Sequence, residues 1–203
     1  MTDSSHRSRA PHLPPEERRE ALVRATRDAL LAHGAVPSTR QIAEAAGVAE
    51  GTIFRAFGTK EALLDAVVER SFDPEPFLAE VDAIDPELPL RQRLYQFVEL
   101  AQARFQRIFG LMSALGMVAP PYLRDEGARR RARQGGPAVT ASMTRLIGDD
   151  ADQLTVSPEQ ALHLLRLLTF AGSHPHISQG HILVPTFIVD SLLDGIGAEC
   201  SSD

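Results

Sequence analysis

The chain has 203 residues, of which 43% are hydrophobic and 24% charged, a composition typical of a soluble globular protein with a buried core. Its one cysteine, Cys200, excludes an internal disulfide and favours the reducing cytoplasm, and the absence of a long apolar stretch argues against export and membrane insertion. Residues 1–60 hold nine lysines and arginines against seven acidic residues, and residues 61–203 hold twelve against twenty. The net charge of −6 is therefore the sum of +2 for residues 1–60 and −8 for residues 61–203. A basic first part on an acidic body favours a protein that contacts DNA with one end only.

Residues 1–15 are rich in serine, arginine, histidine and proline, and we predict a disordered N-terminal tail. Its basic side chains are suited to a DNA minor groove, although a solvated tail without defined contacts is the simpler interpretation. The side chains concerned are His6, Arg7, Arg9 and His12. The first helix is predicted over residues 16–33, where a glycine follows it.

The segment 38–60 is the most informative part of the sequence. Ser38 and Gln41 have the spacing of a capping box, which begins a short helix, and Gly47 supplies the positive φ that ends it. A second short helix over 50–57 needs tertiary packing, because a helix of this length is unstable alone. Two short helices joined by a glycine turn form a helix-turn-helix, whose second helix enters a DNA major groove.

The second of these helices has two different faces. Ile53 and Phe57, four residues apart, form an apolar face that anchors it, and Thr59 caps the helix that follows. The opposite face carries small or polar residues that can approach another surface closely, namely Glu50, Gly51, Thr52 and Arg55.

The stretch from Glu17 to Val68 resembles the DNA-binding domain of the TetR (tetracycline-repressor-like) family of transcriptional regulators. It covers about a quarter of the chain. The matching residues are Leu22, Val23, Thr26, Leu30, Gly34, Ile42, Ala43, Ala46, Gly47, Val48, Gly51, Thr52, Ile53, Phe54, Phe57, Lys60, Glu61, Ala62, Leu63 and Leu64.

The resemblance implies roles for individual residues at the DNA interface. Thr39 and Lys60 would contact phosphates, while Thr52 and Arg55 would select the base sequence, with Arg40 and Glu50 as further candidates. The full set of implied DNA-binding residues is Thr39, Arg40, Glu50, Gly51, Thr52, Phe54, Arg55 and Lys60. Two departures put single phosphate contacts in question. The family's usual capping serine or threonine is Ala49 here, and its usual tyrosine is Phe54.

The rest of the chain alternates helical patterns with glycine and proline and shows no alternating strand pattern. A break at 73–76 marks a domain boundary, which gives a tail over 1–15, a helix-turn-helix domain over 16–72 and a helical effector-binding and dimerisation domain over 73–203. The predicted helices of this last domain cover about 77–84, 88–108, 111–118 with an interruption, 122–133, 137–147, 158–171 and 185–196. The fold prediction is all-α with about nine helices.

The last two predicted helices are apolar on several sides, so we expect them to be buried once in the subunit and once against a partner. Members of the family typically pair these helices in a dimer, and the alternative is a helix wholly interior to one subunit. The predicted interface consists of Leu162, Leu165, Leu168, Phe187 and Leu192.

A ligand pocket for an apolar or aromatic effector is implied by the resemblance, and ordinary core packing is the alternative for each residue. The candidate lining is Phe97, Ala101, Phe105, Phe109, Met112, Leu115 and Met117. The histidines at 174, 176 and 181 lack the partners of a metal site, and the arginines at 129–131 and 133 are typical of a solvated helix face.

The sequence thus predicts a cytoplasmic, homodimeric transcriptional regulator without cofactor, metal or membrane partner. It would bind double-stranded DNA at a palindromic operator as a repressor, and a small effector would release it. No nucleophile or phosphate-loop motif indicates an enzyme. The alternatives are a protein-interaction module that retains the helix-turn-helix and an enzyme that uses the histidine loop.

Overall fold

The computed structural model describes residues 14–117 and 140–196. Within these ranges the regular structure is entirely helical, which confirms the all-α prediction. The helices are α1 (Pro15–His33), α2 (Thr39–Ala46), α3 (Gly51–Phe57), α4 (Lys60–Phe72), α5 (Glu75–Asp82), α6 (Leu90–Ala114), α7 (140–147), α8 (Pro158–Ser173) and α9 (Pro185–Leu193). A 3₁₀ segment, Gly148–Gln153, follows α7. None of these helices is long and apolar enough to cross a membrane.

Several predictions fall on residues outside those ranges. They concern the tail residues His6, Arg7, Arg9 and His12, the charged segment 122–133 with its arginines at 129–131 and 133, and Cys200.

The chain divides into two compact units. Of the described residues, the first unit holds 14–72 and 110–117, and the second holds 73–109 and 140–196. The last residues of α6 therefore belong to the same unit as the helix-turn-helix, although the sequence placed them with the effector-binding domain.

The first unit is built on an apolar core to which α1, α2, α3, α4 and the end of α6 all contribute. Thr26 is buried in it and donates its hydroxyl to the carbonyl of Leu22 at 2.7 Å, so this polar group is satisfied within α1. The core side chains are Leu22, Val23, Leu30, Ile42, Ala43, Ile53, Leu63, Val67, Leu111 and Ala114.

The predicted break between a helix over 88–108 and a second over 111–118 is wrong, because α6 runs without a break from Leu90 to Ala114. Gly110 does not end it. A Cβ at Gly110 would lie 3.0 Å from the Cδ2 of Leu31 on α1, so the glycine permits close packing of two helices within the first unit. The helix ends at Ala114 instead, and the turn after it contains Gly116, which has φ of 61°.

The second unit has its own core, formed by residues of α5 to α9. The core side chains are Val81, Ile84, Leu90, Leu94, Phe97, Val98, Ala101, Met143, Leu146, Ile147, Leu162, Leu165, Ile188 and Val189. The capping box predicted at Ser157 and Gln160 is confirmed and begins α8.

Two arginines of α6 attach other segments of the second unit to that helix. Buried Arg93 donates to the carbonyl of Leu146 at 2.8 Å and pairs with Asp150, so it caps the end of α7. Arg91 pairs with Asp190 at 2.5 Å and with Asp194 at 2.5 Å, and its hydrogen bond holds the pKa of the Asp194 carboxyl below its usual range.

Candidate nucleic-acid interface

The turn between α2 and α3 is fixed by local capping. Ser38 Oγ accepts from the backbone N–H of Gln41 at 3.2 Å, and Gln41 Oε1 accepts from the backbone N–H of Ser38 at 2.8 Å, which confirms the predicted capping box. Gly47 has φ of 65°, as predicted, and its N–H donates to the carbonyl of Glu44. The direction of the chain into α3 therefore depends on one residue with left-handed backbone geometry.

The recognition helix α3 begins without a side-chain cap within the described residues, as the alanine at position 49 predicts. Backbone bonds close its first turn instead, from Thr52 N–H to Ala49 at 2.8 Å and from Ile53 N–H to Glu50 at 3.0 Å. Its stability must then come from tertiary packing, because seven residues are too few for a stable isolated helix.

The packing of α3 divides its surface into a buried and an exposed face. Ile53 is fully buried in the core of the first unit, and Phe57 packs against that core. Thr52 lies half-buried at the margin. The exposed residues are Glu50, Gly51, Phe54 and Arg55. Phe54 is 49% exposed, so a large apolar ring belongs to the same exposed face as the charged side chains.

The polar side chains of this face are held by short-range contacts. Thr39, the first residue of α2, donates its hydroxyl to Glu50 Oε1 at 2.5 Å and so joins the starts of the two helices. Arg40 pairs with Glu44 four residues on at 3.0 Å, in an exposed pair that contributes little to stability. Arg55 donates from Nε to the carbonyl of Gly51 at 3.3 Å, which places its guanidinium along α3.

Lys60 is the first residue of α4 and is half-buried. The preceding Thr59 accepts from the N–H of Ala62 at 3.0 Å, so the predicted cap at Thr59 is confirmed. A lysine at the start of a helix, where backbone N–H groups lack intrahelical partners, favours an anion such as phosphate.

The helix-turn-helix region matches a known protein family. Residues 22–67, which run from α1 into α4, match the family model of bacterial regulatory proteins of the tetR family. These residues form a TetR-family DNA-binding domain. The capped α2, the glycine turn and the recognition helix α3 are therefore the family's DNA-binding helix-turn-helix.

Solved structures of TetR-family proteins are similar to this chain over most of its length. A TetR transcriptional regulator from Streptomyces coelicolor is 19% identical, with 90% of this chain and 99% of that chain covered at a TM-score of 0.53. The regulator LfrR from Mycobacterium smegmatis, solved in complex with proflavine, is 21% identical, with 89% and 98% covered at a TM-score of 0.54. At these identities the likeness shows the shared helical fold.

The seven residues predicted to line one pocket belong to both units of the chain. Phe97 and Ala101 are buried in the core of the second unit, and Leu115 packs against the core of the first. Met112 and Met117 also belong to the first unit and are half-buried. Phe97 and Leu115 thus pack in different cores, and a single lining over all seven residues stays a prediction.

The remaining two, Phe105 and Phe109, form an aromatic cluster with Phe170 and His174 of the second unit. Phe170 contacts both phenylalanine rings edge-on, with centroids 5.3 and 5.2 Å away, and His174 lies 4.4 Å from Phe109. Phe170 and His174 were missing from the predicted lining. The sequence feature that indicates them is the spacing of four residues, which places Phe105 with Phe109, and Phe170 with His174, on one helix face.

The predicted dimer surface needs correction at two of its five positions. Leu162 and Leu165 are buried in the core of their own subunit and present no surface to a partner. Leu192 is half-buried and packs against that core, whereas Leu168 and Phe187 are exposed. The exposed large apolar side chains of α8 and α9 are Leu164, Leu167, Leu168, Phe170 and Phe187.

In the histidine loop after α8, the ring of His174 accepts backbone hydrogen bonds. His174 Nδ1 accepts from the backbone N–H of His176 at 3.3 Å and of Ile177 at 3.4 Å. Among the described residues, no group of three histidine, cysteine or acidic side chains is arranged to hold a metal ion.

Proposed function

We propose that this chain is a dimeric transcriptional repressor that binds a palindromic operator in double-stranded DNA through α3. A small apolar or aromatic effector binds the second unit and thereby releases the repressor from its operator. The observation that carries the proposal is the exposed face of α3, where Gly51, Phe54 and Arg55 are accessible on a helix that is anchored on the core of the first unit.

The contacts with DNA divide into two kinds. Lys60 neutralises a phosphate at the start of α4, which positions the domain without reading sequence. Arg55 reads base edges in the major groove, where its planar guanidinium matches the two acceptors of guanine. Phe54 adds an apolar contact of the kind that suits a thymine methyl group, and Thr52 contributes from the margin of the face.

Dimerisation follows from the apolar surface of α8 and α9. Leu164 and Leu167 on α8 are 45% and 49% exposed, and Phe187 on α9 is 54% exposed. Exposed large apolar side chains grouped on two helices are typical of a protein interface. Two copies related by a two-fold axis present two copies of α3, which requires a palindromic operator with half-sites about one helical turn or a little more apart.

The effector proposal is supported by the aromatic cluster. The related LfrR was solved with proflavine, a planar aromatic compound, and stacked rings such as Phe105 and Phe109 suit such molecules. The helix α6 carries these two rings in the second unit and supplies Leu111 to the core of the first. An effector that shifts α6 would move α4 and alter the separation of the two recognition helices, so the dimer would lose register with its operator.

The proposal is tested by the binding of the purified protein to the intergenic DNA upstream of its own gene. Fluorescence anisotropy at near-physiological salt compares this duplex with a scrambled duplex of equal composition. We expect tight, salt-sensitive binding that prefers the upstream duplex, with two subunits per site. Equal weak binding to both duplexes, repeated with DNA fragments drawn from the whole genome, would contradict a sequence-specific regulator.

A further inference from the structure

The carboxylate of Glu50 lies beside the exposed face of α3, through which the proposed function brings the protein to DNA. Glu50 is exposed, directly precedes α3 with helical backbone angles, and shares a helix face with Phe54 four residues on. A carboxylate there repels phosphates and lowers affinity for every DNA sequence alike. Its presence therefore needs a reason beyond general DNA affinity.

The hydrogen bond from Thr39 gives the carboxylate a fixed orientation. Thr39 Oγ1 donates its only proton to Glu50 Oε1 at 2.5 Å, so this hydroxyl is not free to donate to a phosphate as the sequence suggested. The second oxygen, Oε2, accepts no hydrogen bond from any residue within 14–117 and 140–196. It therefore remains an acceptor held at the start of the recognition helix.

We infer that Glu50 is a specificity-determining residue that selects a cytosine in each half-site, with Thr39 as the residue that positions it. This inference rests on the proposed function. A carboxylate only accepts hydrogen bonds, and the cytosine N4 amino group is a donor in the major groove. Guanine N7 and O6 and thymine O4 are acceptors, which repel it. Adenine places a donor beside the N7 acceptor, an arrangement that suits an amide rather than a carboxylate.

The test is a selection from randomised duplexes with the full-length protein and three variants, Glu50→Gln, Thr39→Val and Thr39→Ser. We expect the wild-type protein to enrich a palindrome with one selected cytosine in each half-site. The Glu50→Gln variant should enrich a palindrome with adenine at that position instead, because glutamine pairs with adenine N6 and N7. On matched duplexes the preference at that position should reverse by about tenfold, with the rest of the motif unchanged.

The threonine variants test the positioning role. Thr39→Val has nearly the same shape but no hydroxyl, so the preference for cytosine should fall several-fold at that one position. Thr39→Ser keeps the donor and should keep the preference. If both threonine variants select the same motif as the wild type with the same strength, Thr39 has no positioning role.

The matched control is Glu44→Gln, which removes an exposed carboxylate of α2 that pairs with Arg40. We expect it to raise affinity for all duplexes alike and to leave the motif unchanged. The inference is wrong if Glu50→Gln does the same, because Glu50 would then only repel phosphate. A wild-type protein that enriches no motif would instead contradict the proposed function, so the two failures are distinguishable.

Discussion

The guanidinium carbon of Arg19 on α1 lies 4.1 Å from the centroid of the Phe57 ring, and Arg19 Nη1 donates to the carbonyl of Ala56. One side chain thus holds both of the last two residues of α3. Carbonyls at a helix C-terminus lack intrahelical partners and the helix dipole there favours a cation, so the contact stabilises the end of a helix that is too short to stand alone.

Replacement of this arginine should loosen the recognition helix. Arg19→Ala removes a cation–π contact and a charged hydrogen bond, and we expect the free energy of unfolding to fall by about 1–2 kcal/mol. Urea unfolding followed by circular dichroism measures the change. Arg24→Ala, at an exposed position of the same helix, is the control and should change stability by less than about 0.5 kcal/mol. Equal losses in the two variants would show that Arg19 does not anchor α3.

Replacement by alanine should have different effects on stability at Gly47, in the turn, and at Gly51, the first residue of α3. Gly47→Ala places a side chain at φ of 65°, where no atom lies within 4 Å, so only backbone strain of about 1 kcal/mol opposes folding. Gly51→Ala has equal room and no positive φ, so stability should stay the same or rise. The new methyl group of Gly51→Ala lies on the exposed face of α3, so its affinity for the operator should fall. Thermal unfolding and anisotropy together separate these effects.

Lys60 is the only lysine of the sequence, and its substitution tests the proposed phosphate contact. Lys60→Ala should weaken binding to operator and random DNA by the same factor and lower the salt slope by about one, since one phosphate contact is lost. A salt titration of both duplexes provides the measurement. Arg107→Ala, in the second unit, removes a cation elsewhere and should leave the slope unchanged. A larger loss on operator than on random DNA would mean that Lys60 reads sequence.

Arg55 should show the opposite pattern. Arg55→Ala is expected to reduce discrimination between the operator and its single-base variants by about 1–3 kcal/mol at one or two positions, because a guanine contact is lost. Affinities for a set of single-base operator variants identify those positions. Arg55→Lys retains the charge without the planar fork and should restore affinity more than discrimination. If Arg55→Ala weakens operator and random DNA equally, its assigned role is wrong.

The exposed apolar surface of α8 and α9 predicts an effect on assembly. Phe187→Glu should shift the protein from dimer to monomer at micromolar concentration without unfolding it, because the side chain is 54% exposed in the isolated subunit. Sedimentation velocity and circular dichroism measure assembly and folding. Leu165→Glu places a charge in the subunit core and should unfold the chain instead. A Phe187→Glu protein that remains dimeric would place the interface elsewhere.

The local signals of the sequence predicted the helix-turn-helix well. The capping boxes at Ser38 and Ser157, the positive φ of Gly47 and the buried Ile53 all depend on residues within a few positions of each other. Such patterns act through nearby backbone groups, so a single sequence contains them in full. The resemblance to the TetR family over about a quarter of the chain then supplied the helical architecture.

The parts that the sequence did not predict depend on contacts between distant elements. Gly110 has the appearance of a helix stop, but its function depends on Leu31 of α1. An α8 that is apolar on several sides does not show which leucines face inward, and Leu165 proved to be buried while Leu164 is exposed. The bond between Thr39 and Glu50 joins residues eleven positions apart through the glycine turn, so only the folded geometry brings them together.

The central claim is that two copies of α3 occupy the major groove of one operator. Dimethyl sulfate protection tests it most directly, because guanine N7 lies in that groove. The account predicts two groups of protected guanines whose centres lie about one helical turn or a little more apart. It would be contradicted by a backbone footprint that leaves guanine N7 unprotected, or by protection of a single half-site by a saturating amount of protein.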